Sequence, residues 1–188
     1  MHRQLLAREL MSFTGDKELL CEQLWNESNN FHENMAVALV QFITMVSESF
    51  CEKFLPILQD TSVNKEVRIA IIRYFGKHRY VPAQDVLIDF VENSEDVSFA
   101  IVSATALRRY HSPSTIAALE KALSDPDWYV RFNASATLVV LGNEMELAEV
   151  LRSDNVQKRE IVAYIIAQEK ALGTAEYSSK REGEREIA

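Results

Sequence analysis

A short motif returns along this chain at nearly even spacing. It reads Val67-Arg68, Val97-Ser98, Val130-Arg131 and Lys158-Arg159, and more faintly Phe31-His32, with successive copies 36, 30, 33 and 28 residues apart. Each copy follows a turn: Leu24-Trp25-Asn26, Leu58-Gln59-Asp60, Val91-Glu92-Asn93, Leu123-Ser124-Asp125 and Leu151-Arg152-Ser153-Asp154. A period of this length holds one supersecondary unit, too small to bury its own apolar surface, so successive units have to stack.

The unit is clearest between Ser114 and Gly142. Ile116, Leu119 and Leu123, with Ala117, Ala118 and Ala122, give its first half the spacing of one helix face. Pro126 cannot continue that hydrogen-bond ladder, and Asp127 is placed to cap a second helix by accepting from its free amides. Val130, Ala134, Leu138 and Leu141 then form one stripe, with Gly142 just past its end. Each such pair is apolar over more of its circumference than the partner helix can cover, and the surplus must meet the next pair.

This pattern resembles the HEAT repeat, in which a helix ends in Leu-x-x-Asp, turns tightly, and gives way to a second helix opening with Val-Arg and small residues before Leu. The matching residues are Leu123-Ser124-Asp125, Val130-Arg131, then Ala134, Ser135, Ala136 and Leu138. The resemblance implies an all-α fold: a right-handed α-α superhelix, or solenoid, of about five helix pairs, with first helices outside and second helices lining the inner surface. It also implies that the recurring Arg68, Arg131 and Arg159 pair with the turn acids Asp60, Asp125 and Asp154. Ser98 and His32 depart from the pattern, so a complete Asp-Arg ladder cannot form.

The expected map is a single repeat domain over residues 1–172. An N-terminal capping helix at 2–12 precedes repeats at about 16–45, 49–77, 82–110, 114–142 and 145–171, and 173–188 reads as a polar C-terminal tail. The 188 residues are 47% hydrophobic with few glycines and prolines, which excludes disorder and leans all-helical. A net charge of −8 repels phosphate backbones and anionic lipid heads, making nucleic acid a disfavoured partner. The longest apolar run, residues 35–46, is broken by Gln41 and Thr44, so no membrane insertion is expected. Cys21 and Cys51 occupy matching surroundings and read as small hydrophobes of a reducing, cytoplasmic protein. A disulfide between them, and a membrane-associated parent protein or a removed anchor, stay open.

His2, His32, His78 and His111 fall in four separate places, and the chain has no HExxH, CxxC, GxSxG or GxGxxG. No catalytic residue, metal or cofactor is therefore expected. The resemblance implies a non-catalytic protein-protein interaction scaffold. Two alternatives within related repeat proteins are a DNA-binding, alkylpurine-glycosylase type of module with a basic concave face, and a chromophore-lyase type. The latter requires an apolar pocket holding a paired acid and base.

Two groups of residues are candidate partner sites. The position after the motif holds Glu33, Ile69, Phe99, Phe132 and Glu160, where a polar residue is common in such arrays. With the next helical turn, Ile69, Ile72, Arg73, Phe99, Val102 and Phe132 form an expected inner strip that receives an amphipathic helix or extended peptide. The competing expectation is that curvature or the chain's own tail covers it. The second group is Arg108, Arg109 and Tyr110 with Trp128 and Tyr129, since aromatics beside arginines favour interfaces. Such residues also stack on nucleobases, but Glu33, Glu66, Glu95 and Glu160 at the second-helix starts oppose a basic groove.

Overall fold

The computed structural model describes the backbone of residues 3–28 and 32–186, and the side chains of 8–28 and 32–171. Phe31 of the faintest motif copy lies outside the described residues, as do His2 and the last two residues of the expected tail. The described residues form eleven α-helices and no strand. They are α1 (Arg3–Ser12), α2 (Lys17–Asn26), α3 (Glu33–Val46), α4 (Cys51–Gln59), α5 (Lys65–Lys77), α6 (Gln84–Asn93), α7 (Val97–Ala106), α8 (Pro113–Ala122), α9 (Trp128–Leu141), α10 (Glu144–Arg152) and α11 (Val156–Glu186).

Local chemistry explains these boundaries. Asp16, Asn64, Asp96, Ser112, Asp127 and Asn143 each accept from backbone amides of the first turn they precede, as N-caps do. Asn143 and Glu146 complete a reciprocal capping box. Helix α11 runs on into the stretch read as a polar tail. Losing the apolar period removes a packing face, but Ala175, Glu176, Lys180, Arg181 and Glu182 are good helix formers, and no proline follows Pro126.

The helices pair as two-helix modules, α2 with α3 through α10 with α11, and α1 packs against α3 as a cap. Substantial packing joins only elements of the same or neighbouring modules. Among the described residues, second helices α3, α5, α7, α9 and α11 form a row with close backbone packing throughout, whereas in the first-helix row only α6 and α8 approach that closely, α2 and α4 meeting through longer side chains. A row packed more closely than the one behind it bends the stack toward itself, which puts the second helices on the inner side. One apolar core runs through the array. At its N-terminal side Trp25, Phe54 and Tyr74 interlock edge to face, with centroids 5.3 and 4.7 Å apart.

Helix ends leave carbonyls without intrahelical partners, and two devices satisfy them. Within a module, the motif arginine holds the end of the first helix. Arg68 Nε donates to Leu58 O (2.9 Å), Arg131 to Asp125 O and Pro126 O (2.7 and 2.8 Å), and Arg159 to Ser153 O (2.6 Å). These partners correct the expected carboxylate pairing. Asp60 and Asp125 instead accept from the amides of Ser62 and Asp127 in their own turns.

Between modules, side chains of the second, third and fourth units close the second helix of the unit before. His78 Nε2 donates to Thr44 O (2.8 Å), Tyr110 Oη to Phe75 O (3.0 Å), Arg109 to Lys77 O (2.9 Å) and Thr137 Oγ1 to Ala104 O (2.9 Å). Tyr110 Oη also accepts from Tyr80 N–H (3.1 Å).

Cys21 is fully buried and Cys51 half-buried, both as free thiols. Burial, then the charges of Glu18 and Glu22, push the Cys21 thiol up to about 11, so it stays protonated and unreactive near neutrality.

Two outcomes follow from these ties. Tyr110→Phe strands a buried carbonyl and an amide, and should lose about 2 kcal/mol in urea unfolding. Asp96 caps α7 and bridges Lys65 of the preceding module at 2.6 Å, and that lysine, with the Ser98 amide, holds its carboxyl below the usual range. Its stabilisation is therefore complete above the unfolded-state value of about 4 and is lost as pH falls through the lower folded value. Asp96→Asn should flatten that acid-side loss in urea midpoints measured from about pH 6 down to about pH 3.

Candidate functional site

Each inner helix from α3 to α9 has a neighbour on both sides and its module partner behind, so only a narrow stripe faces outward. On α5 that stripe carries Arg73 and Lys77, and on α9 it carries Tyr129, Asn133 and Val140. Four of the residues expected to be accessible are not. Ile69, Ile72 and Phe99 are 5, 0 and 6% exposed and belong to the core, and Tyr110 is fully buried. Phe99 is held between the Phe90 ring, stacked at 5.0 Å, and the Arg68 guanidinium of the preceding module at 4.8 Å. It is a wall between modules and cannot receive a partner. Of the expected strip, Arg73 is exposed, while Val102 and Phe132 are half-buried.

The second expected group is split by the path of the chain. Arg108 and Arg109 follow the C-terminus of α7, the intervening α8 carries the chain back, and Trp128 and Tyr129 open α9 at the other end of the row. About ten helical residues, roughly 15 Å, separate the two halves. Adjacency in sequence across a helical hairpin is not adjacency in space.

Two open grooves lie between second helices. The first, about 300 Å³, sits between α5 and α7 and is lined by Arg73, Gly76, Lys77, Val102, Thr105 and Ala106, with Ile101 beside them. Thr105 Oγ1 donates to Asn133 Oδ1 (3.0 Å), tying its edge to α9. The second, about 400 Å³, sits between α9 and α11 and is lined by Trp128, Arg131, Gln157, Glu160, Ile161 and Tyr164. Trp128 stacks on Phe132 at 5.0 Å and Tyr164 takes a hydrogen bond from Gln168. Both rings nevertheless stay about half exposed, at 47 and 51%. Lys77, Ile101 and Tyr164 escaped the sequence reading, although Lys77 stands one helical turn beyond Arg73 and that spacing was available as a signal.

Ionisable groups gather elsewhere in one polar recess of about 440 Å³ at the α8, α10 and α11 junction, which includes Glu120, Glu149, Asp154 and Lys158. Burial, then the Glu149 charge, raise the Glu120 carboxyl above its usual range. These surroundings are polar, whereas the lyase reading requires an apolar pocket. Among the described residues no group of three or more His, Cys, Asp or Glu could hold a metal ion, and no helix is long and apolar enough to cross a membrane.

A family model described as HEAT repeats matches residues 51–138 and again 84–167, which together cover more than half of the chain. No curated protein and no solved structure is matched.

The burial contrast is directly testable. Phe99→Glu should lose about 4 kcal/mol in chemical denaturation, because it opens a cavity and buries a charge. Phe132→Glu, at a half-buried position stacked on Trp128, should lose only about 1 kcal/mol.

Proposed function

Because this chain belongs to the HEAT-repeat family, which generally forms non-catalytic protein-interaction scaffolds, we propose that it binds a peptide or helical segment of a partner protein along its second-helix face. The observation that carries this reading is the pair of open, partly apolar grooves between α5 and α7 and between α9 and α11. Each is walled by rigid helices and leaves apolar side chains half exposed. Trp128 and Tyr164 supply large amphipathic rings at low entropic cost, the kind of residue that dominates interface energetics. Grooves on consecutive inner helices suit an elongated ligand better than a compact one. Two free thiols, one deeply buried, support a reducing cytoplasmic setting.

Site-specific photocrosslinking tests the reading. Benzoylphenylalanine placed at Val102, Trp128 or Tyr164 should capture one contiguous partner segment, identified by mass spectrometry, while the same group at Glu52 on α4 or Asp89 on α6 should not. Equal capture from both helix rows would reject a second-helix binding face.

A further inference from the structure

The α5–α7 groove combines an aliphatic floor with a positively charged rim. Gly76, Ile101, Val102 and Ala106 make the floor. Gly76 sets its depth, since a Cβ there would stand 3.2 Å from Ala106 Cα and Cβ. Arg73 and Lys77 stand on the α5 side. Arg109 joins them by donating to Lys77 O, and Arg108, exposed beyond Thr105, continues the stripe of Ile101 and Thr105. Among the described residues none of these four cations is bonded to a carboxylate. The ion pairs there are Lys53–Glu22, Lys65–Asp96 and Lys121–Glu92. Acids of the same two helices sit at their opposite, N-terminal ends, at Glu66, Glu95 and Asp96. A chain of net charge −8 therefore carries a local cluster of four cations around an aliphatic groove.

We propose that this groove receives an acidic segment of a partner protein, with Leu-, Ile- or Val-type side chains on the Gly76–Val102–Ala106 floor and Asp or Glu carboxylates against Arg73, Lys77 and Arg108. The inference deepens the scaffold reading and rests on it. Charge complementarity selects the partner's sign, and the aliphatic floor selects peptide over nucleic acid. Phosphates make no use of an aliphatic floor, and the exposed rings of Trp128 and Tyr164, on which a single-stranded base could stack, lie in the other groove beside Glu160.

Selection of a random 12-residue display library against the full chain tests this, with hits measured as labelled peptides by fluorescence anisotropy. The expected hits carry two or more Asp or Glu beside aliphatic residues. Replacing their acids with Lys should weaken binding at least tenfold, and so should Arg73→Glu/Lys77→Glu in a chain whose circular dichroism is unchanged. Added salt should weaken them progressively, as contacts screened over about 8 Å at physiological ionic strength do. Hits without acidic enrichment, no hits, insensitivity to the double charge reversal, or tighter binding of a 20-base-pair duplex DNA would each overturn the proposal. Photocrosslinks confined to Trp128 and Tyr164 with no acidic preference would remove this inference and leave the scaffold reading standing.

Discussion

The array depends on helix ends that only a neighbour can finish. A second helix in isolation leaves its last carbonyls facing water, and packing it into a stack removes that water. His78, Arg109, Tyr110 and Thr137 replace it, each reaching into the module before its own. The bonded pairs lie 34, 32, 35 and 33 residues apart, so the tie has the period of the repeat itself. Hydrophobic burial supplies the drive for stacking but is non-directional. These bonds add register, because a module slipped by one residue would bury its carbonyls unpaired.

The same closure decides what remains available on the surface. Sealing inner helices against each other consumes nearly all of their apolar residues, so a partner meets grooves and not a continuous greasy strip. The α5–α7 groove persists where small residues, Gly76 on one helix and Ala106 on the other, stand beside Val102. Capping chemistry also polarises the face. Asp96 and Asp127 favour the N-terminal ends of second helices, and Arg108 and Arg109 follow the C-terminus of α7, the arrangement the helix dipole rewards. At α7 the N-terminal edge of the inner surface is thus acidic, with Glu95 and Asp96, and the C-terminal edge at α5 and α7 is basic.

The fold was readable from sequence because its signals are local: apolar spacing, caps such as Asp127, and turns such as Asp125-Pro126. Site residues were harder to read because exposure depends on helix phase, and neighbouring positions point about 100° apart. On α5 the single step from Ile72 to Arg73 is the difference between core and surface. Helix α7, VSFAIVSATA, has too few polar residues to mark a face, and its polarity misleads: Ser103 is buried with no hydrogen-bond partner for its hydroxyl, while Val97 is exposed. The motif arginines showed the same limit. Their structural role was legible, but sequence could not distinguish a carboxylate partner from the bare carbonyls of Leu58, Asp125 and Ser153.

The direction of the inter-module ties bears on how such a chain is made. A ribosome releases the amino-terminal side first, so Phe75 and Lys77 emerge more than thirty residues ahead of the Tyr110 and Arg109 that complete their helix. Through the first three modules the newest second helix is the incomplete one, and it is finished when its successor arrives. Growth of this array therefore resembles a zipper closing in the direction of translation, with the open position moving outward together with the nascent chain.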